Sequence, residues 1–295
     1  MKKRALNFCK VFYMNVVIIT GAASGIGHAL SQVCLSNGKT IVMVDKNQDK
    51  LHTEAQSFMT KFSPENVICY ACDVTKPSEV ERLAKYSCKQ LGQVDWIFNN
   101  AGIIGNLLPA WELQENDINQ VMQVNLHGML NVIRSFMPYL FKQNFRSHII
   151  NMASLYALCT GSQMAAYSMS KHAVLALSES LYFDLNRLKK PVDVSVVFPS
   201  FTDTSLLASS GKLNHSPIHN QLNNLLAHSR PAIEVAEHIV REVEQKRFYI
   251  LPDKEVKGYC EDRTKAILLQ ENPHRNSVEQ LMCSLLKRQS SEANL

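Results

Sequence analysis

The chain has 295 residues, 46% of them hydrophobic and 19% charged, which suits one large α/β domain or two small ones and excludes a disordered chain. Its net charge of +5 is concentrated at one end: Lys2, Lys3, Arg4 and Lys10 supply four positive charges in the first thirteen residues, which hold no acid. The body is therefore near neutral, and no later basic stripe alternates with aromatics, so a nucleic-acid partner is not expected.

The basic start followed by an apolar stretch has the layout of a signal peptide. Asn7, Lys10 and Asn15 interrupt it, however, and it runs into a strand, so residues 1–14 are read as an appendage and not as a cleaved leader. Val16-Val17-Ile18-Ile19 is a continuous apolar run, as expected of a parallel strand covered on both faces. It leads into Thr20-Gly21-Ala22-Ala23-Ser24-Gly25-Ile26-Gly27 and then a helical segment to about Asn37. Strand, glycine-rich turn and helix is the layout of a dinucleotide-binding βαβ unit. Gly21 allows the tight turn. Gly25 and Gly27 permit close approach of backbone to pyrophosphate and close packing of helix on sheet. The helix N-terminus offers free N–H groups and a positive dipole end to the phosphates.

The next strand, Thr40 to Asp45, ends in an acid eighteen positions after Gly27. A carboxylate there accepts the ribose hydroxyls and repels a 2′-phosphate, which favours NAD over NADP, with Lys46 positioned to soften the preference. A third strand, Asn66 to Ala71, leads to Asp73-Val74. Cys69 and Cys72 form a C-x-x-C, but residues three apart on a strand point to opposite faces, so they are read as structural thiols and not as a metal or redox pair. The eight cysteines follow no framework spacing, which points to a reducing, cytoplasmic setting. A fourth strand, Asp95 to Asn99, ends in Asn99-Asn100-Ala101-Gly102. A long helix over about 117–142 carries Asn125. The fifth strand, His148 to Met152, delivers Ser154 just past its end, at the edge where ligands of open parallel sheets sit.

A helix running to about Leu188 carries Tyr167 and Lys171 at i and i+4, on one face. A tyrosine titrates near pH 10, and an ammonium beside it is expected to lower that value and fit the phenol for acid–base work. The helix is apolar on two sides, including Val174, Leu181, Tyr182, Phe183, Leu185 and Leu188, so burial by the sheet and by a second subunit is expected. A sixth strand, Val192 to Phe198, ends at Pro199. Residues 200–230 lack a sustained period and are read as a substrate loop or lid. Pro231 opens a helix to about Lys246, and Phe248 to Leu251 makes a seventh strand. Residues 253–295 are read as a C-terminal tail with one amphipathic segment, Val278 to Leu286. No run approaches the roughly eighteen apolar residues of a membrane span, and membrane association is not expected. His215 and His219 are four apart, but Pro217 between them disrupts a helical metal face, so no metal site is expected.

These motifs together resemble the short-chain dehydrogenase/reductase family, in its ordinary single-domain form, over residues 15–252. The resemblance rests on Thr20-Gly21-x-x-x-Gly25-x-Gly27, Asp73-Val74, Asn99-Asn100-Ala101-Gly102, Ser154 thirteen before Tyr167, and Tyr167-x-x-x-Lys171, in order. It implies a Rossmann-type doubly wound parallel sheet of seven strands and a hydride transfer between nicotinamide and a secondary alcohol or ketone. It also implies a tetrad of Asn125, Ser154, Tyr167 and Lys171. Tyr167 would move the substrate proton and Ser154 would hold the substrate oxygen. Lys171 would tune Tyr167 and bond the nicotinamide ribose, and Asn125 would keep a water in a relay to Lys171. Ser24 and Ile26 count with the glycines as cofactor contacts. Asp73 and Val74 would meet the adenine; Asn99, Ala101 and Gly102 would line the adenosine ribose and strand edge; Pro199, Thr202 and Thr204 would border the nicotinamide. Homodimers or homotetramers are common in the family.

One departure stands out. The family usually has glycine where Ser200 follows Pro199, and serine is strained there if the backbone needs φ > 0. A cofactor-binding scaffold or redox sensor with little turnover is therefore the alternative reading. The apolar set Leu155, Leu158, Met164, Leu206 and Leu207 has two equal readings: a pocket wall for a lipophilic substrate such as a steroid, retinoid or fatty derivative, or leucines that simply pack the lid.

Overall fold

In this computed structural model, residues 15–203, 229–277, 279, 280, 283 and 284 are described. The elements, in order, are β1 (Val16–Thr20), α1 (Gly25–Ser36), β2 (Thr40–Asp45), α2 (Gln48–Lys61), β3 (Val67–Ala71), α3 (Pro77–Tyr86) and β4 (Trp96–Asn99). Then come α4 (Glu115–Met122), α5 (Met129–Leu140), β5 (Ser147–Met152), α6 (Ala165–Arg187) and β6 (Val192–Val197). The short strands β7 (Thr202–Asp203) and β8 (Arg230–Pro231) precede α7 (Ala232–Glu244), β9 (Tyr249–Ile250) and α8 (Lys254–Leu268).

The strands read as apolar runs because helices cover both faces of the sheet. Side chains alternate along each strand, so Val16 and Ile18 of β1 join one core while Val17 and Ile19 join the other. The first core is closed by α3, α5 and α6 through Leu83, Phe136 and Val174. The second is closed by α1, α2 and α7 through Leu30, Phe58 and Ile239. The expected Rossmann-type sheet is present: seven parallel strands in the order β3-β2-β1-β4-β5-β6-β9. The chain leaves β1 toward β2 on one side and returns to β4 on the other. That reversal opens a crevice beyond the C-terminal ends of β1 and β4.

Two differences from the sequence reading affect the site. The long helix around Asn125 is not uniform: a π-helical turn, Gln123–Gly128, separates α4 from α5. Such turns widen the backbone and re-aim a side chain. The stretch after β9 is also not a plain tail. It begins with α8, whose Val256 and Ala266 are buried, and continues in helical residues at 277, 279, 280, 283 and 284. Cys69 and Cys72 do face opposite cores, as expected of a strand. Residues 1–14, Thr204, Leu206, Leu207, His215 and His219 lie outside the described residues.

Candidate active site

The crevice holds a cavity of about 520 Å³. The glycine turn between β1 and α1 forms one end. Gly21 has φ +67, a conformation open to glycine at little cost. A Cβ on Gly27 would run into the Gly21 carbonyl and the Asn100 side chain, so Gly27 is required for α1 to sit this close to the sheet. Asn100 Nδ2 in turn donates to Thr20 O at 2.9 Å, tying the turn to the end of β4. Gly21, Ser24, Gly25 and Ile26 line the cavity; Gly27 lies behind them.

Asp45 lines the same end. Its Oδ2 accepts from Ala23 N at 3.2 Å and its Oδ1 from Asn47 N at 3.0 Å, which fixes the carboxylate beside the glycine turn. Lys46 is also in the lining. Asp73 and Val74 form the next stretch of wall, with Asp73 Oδ1 accepting from Thr75 N and Oγ1 and leaving Oδ2 for a ligand. Asn131 Nδ2, on α5, holds Val74 O at 2.9 Å. Ala101 and Gly102 line the cavity, but Asn99 does not: it is buried in the sheet, donating to Asn151 Oδ1 at 2.9 Å, and Asn100 takes its expected place. The alternation of strand side chains turns Asn99 inward.

Ser154, Tyr167 and Lys171 converge on the other half of the cavity, and all three are buried. Ser154 sits just beyond β5, where its Oγ accepts from Tyr156 N at 3.3 Å. The rings of Tyr156 and Tyr167 meet edge to face, 5.8 Å apart. Lys171 Nζ donates to Met152 O at 2.8 Å and lies 5.6 Å from the Tyr167 ring centre. Burial pushes the Tyr167 phenol up to about 12, with a Ser154 hydrogen bond pulling the other way. Burial also pulls Lys171 down to about 8. The expected lowering of Tyr167 is thus reversed, because burial penalises the charged phenolate by more than the Ser154 hydrogen bond favours it. At neutral pH Tyr167 carries its proton.

Asn125 lies behind the cavity wall, in the π-helical turn. Its Oδ1 accepts from Ile103 N at 2.8 Å, and its Nδ2 donates to Ile103 O and Ser170 Oγ, each at 2.9 Å. A Cβ on Gly102 would come 3.3 Å from Asn125 Oδ1 and 3.6 Å from Lys171 Nζ, so the glycine leaves open the space between them.

Pro199, Ser200 and Thr202 close the nicotinamide end expected from the sequence. Ser200 is not among the described residues with positive φ, so the feared strain is absent. Its N–H donates to the buried Asp253 at 2.9 Å, and Arg230 Nη1 holds the same carboxylate at 3.1 Å. Leu155 and Met164 line the cavity as expected; Leu158 instead packs on the core beneath. Ile104, Leu107 and Phe201 complete an apolar wall that the sequence reading missed. Their only signal was hydrophobicity in loop segments, which does not reveal the face.

The cradle suits a dinucleotide: a glycine turn at a helix N-terminus for phosphates, the carboxylates of Asp45 and Asp73 on the same wall, and the proton-bearing Tyr167 in the same cavity. Among the described residues no group of acids, histidines or cysteines could hold a metal ion, and no helix is long and apolar enough to cross a membrane.

Comparison with known proteins agrees with this geometry. Residues 15–214 match the family described as short chain dehydrogenase. The chain is 39% identical over 191 residues to 1-deoxy-11-beta-hydroxypentalenate dehydrogenase of Streptomyces exfoliatus, covering 64% of this chain and 68% of that protein. It is 30% identical over 199 residues to mouse 15-hydroxyprostaglandin dehydrogenase [NAD(+)], covering 67% of this chain and 71% of that one. A crystal structure of a short chain dehydrogenase/reductase from Burkholderia phymatum in complex with NAD superposes with a TM-score of 0.82 at 30% identity, over 89% of this chain and 97% of that chain. The family consists of oxidoreductases that use a nicotinamide cofactor, and this chain, by its sequence match, its sheet and its cradle, belongs to the short-chain dehydrogenase/reductase family.

Proposed function

We propose that the protein is an NAD-dependent dehydrogenase or reductase acting on a lipophilic secondary alcohol or ketone, with residues 15–252 as its catalytic domain. The observation that carries this reading is the convergence of Ser154, Tyr167 and Lys171 on the cavity whose far end holds the glycine turn and Asp45. The bound nicotinamide ring would accept a hydride in oxidation or supply one in reduction. The chain's own residues handle the rest. Ser154 donates to the substrate oxygen and orients it. Tyr167 gives its phenolic proton to that oxygen in reduction, or takes the hydroxyl proton in oxidation. Lys171, fixed by Met152 O, bonds the cofactor ribose and stabilises the phenolate when it forms. The Asn125 Oδ1 lone pair not used by Ile103 faces the space beside Gly102, where a water would link it to Lys171.

Asp45 supports NAD over NADP, since its carboxylate would meet a 2′-phosphate. The apolar wall of Ile104, Leu107, Leu155, Met164 and Phe201 supports a lipophilic substrate, and the two relatives above are named for hydroxylated molecules. The outer face of α6, with Met169 and Phe183 exposed, supports a homodimer or homotetramer. The free thiols of Cys34, Cys72 and Cys159 suit a reducing, cytoplasmic setting.

The test begins with fluorescence titration of NADH and of NADPH. NADH should bind about tenfold or more tightly than NADPH, and Asp45→Ala should erase the difference. A screen of secondary alcohols and ketones should then find turnover that Tyr167→Phe lowers by about a hundredfold or more while NADH still binds. Equal turnover in Tyr167→Phe would overturn the assignment.

A further inference from the structure

The loop that joins Ser154 to Tyr167 is held by its own backbone bonds over its first half, where Ala157 N donates to Ser154 O and Leu158 N to Leu155 O, each at 2.9 Å, but more weakly over the half that leads into α6. It enters α6 through Gln163, whose φ of +61 is a left-handed conformation that a side-chain-bearing residue rarely adopts. The turn's internal bond, Met164 N to Gly161 O, is long at 3.4 Å. The two donors of Ser162 point away from the loop, and one acceptor takes both. Glu279 Oε2 accepts from Ser162 N at 2.6 Å, and Oε1 accepts from Ser162 Oγ at 2.6 Å. The fit leaves little slack, since a Cβ on Gly161 would lie 3.1 Å from Glu279 Oε2.

Glu279 comes from far along the chain and is itself anchored. Its backbone N–H donates to Asn276 Oδ1 at 2.8 Å, and Cys283 Sγ donates to its Oε1 at 3.2 Å. The neighbouring Ser277 Oγ shares a 2.7 Å hydrogen bond with Tyr259 on α8. From α8, Arg263 Nη1 donates to His172 Nε2 at 2.6 Å, and His172 Nδ1 donates to Ser168 O, one residue past Tyr167. The segment after β9 thus grips the loop at Ser162 and the helix at His172, on either side of Tyr167. Met164, at the loop's end, lines the cavity.

We propose that Glu279 is a positioning residue, a carboxylate clamp that holds the Ser154–Tyr167 loop closed against the substrate half of the cavity. It touches neither cofactor nor reacting atoms. It supplies from outside the loop the hydrogen-bond acceptors that the left-handed turn cannot find within it. The inference rests on the function proposed above for its consequence in turnover, but the clamp itself is open to a separate measurement.

The experiment compares the full native chain with Glu279→Ala and Glu279→Gln. Glutamine keeps an acceptor for Ser162 N, and its amide can donate to Ser162 Oγ. Amide hydrogen exchange is read by peptide, alongside NADH titration and steady-state kinetics with the best alcohol from a panel of 2-octanol, 2-decanol and cyclohexanol. In Glu279→Ala, exchange in the peptide spanning 158–164 should quicken about tenfold, while peptides of β1 and β5 and the affinity for NADH stay within twofold. KM for the alcohol should rise about tenfold with kcat changed far less, and Glu279→Gln should restore most of both. Unchanged exchange at 158–164 overturns the clamp, and so does quickening spread evenly over the whole chain. Local quickening with an unchanged KM overturns its role in shaping the substrate half. A native chain that binds NADH but oxidises none of the panel counts against the proposed alcohol chemistry, and the exchange result still decides the clamp.

Discussion

Lys171 is buried at the cavity wall, with Met152 O as the hydrogen-bond acceptor of its Nζ. Burial holds it at about 8, against about 10.4 for a free lysine. Between those values the unfolded chain binds a proton that the folded chain has released. The contribution of Lys171 to stability therefore climbs with pH from about 8 to about 10.4, by up to about 3 kcal/mol, with its full penalty present below 8, while the thiols of Cys34, Cys72, Cys88 and Cys159, pushed up by burial, act in the opposite sense above about 9. The raised phenol of Tyr167 acts in the opposite sense, but only above about 10. Urea unfolding of the native chain and Lys171→Met at pH 7, 8.5 and 10 checks this: the native chain should gain about 1–3 kcal/mol on the variant across the series. A constant difference would show that Lys171 titrates as a free lysine. Individual residues were unevenly legible in the sequence. Tyr167, Lys171 and Ser154 could be found because their spacing is local or sits at a strand end. Asp253 and Glu279 could not, since their partners Ser200 and Ser162 lie 53 and 117 positions away. Asn99 and Leu158 were misplaced because sequence fixes a neighbourhood before it fixes a face.

Among the elements, α1 depends most on a single atom that is missing. Its Gly27 packs against the Gly21 carbonyl and Asn100. Gly27→Ala should push α1 off the sheet end, cost about 1–3 kcal/mol in urea unfolding, and weaken NADH binding about tenfold or more. Unchanged NADH binding would mean that the turn adapts without moving the phosphate cradle. The central parallel strands were readable to within a residue or so, because burial on both faces writes them as unbroken apolar runs. The π-helical turn at Asn125 was not, since nothing in its composition departs from an ordinary helix. α8 was passed over as tail because only Val256 and Ala266 of its fifteen residues are buried. Its place is set by Tyr259 and Arg263, through contacts that leave no periodic trace.

At the scale of the whole molecule, the exposed side of α6 carries Phe183 at 68% and Met169 at 47% exposure, an outer apolar row beside the buried face that holds Tyr167. Size-exclusion chromatography with light scattering should find a dimer or tetramer, and Phe183→Asp should shift it toward monomer while NADH binding is kept. A native chain that runs as a monomer at micromolar concentration would end that expectation. The small sheet of β7 and β8 has a different consequence. It pairs Thr202 with Arg230 and Asp203 with Pro231, and Arg230 pins the pair to Pro252 O and Asp253. One carboxylate, that of Asp253, thus holds both Arg230 of the small sheet and the Ser200 N–H on the cavity wall, so a change that loosens this latch is transmitted to the mouth of the cavity.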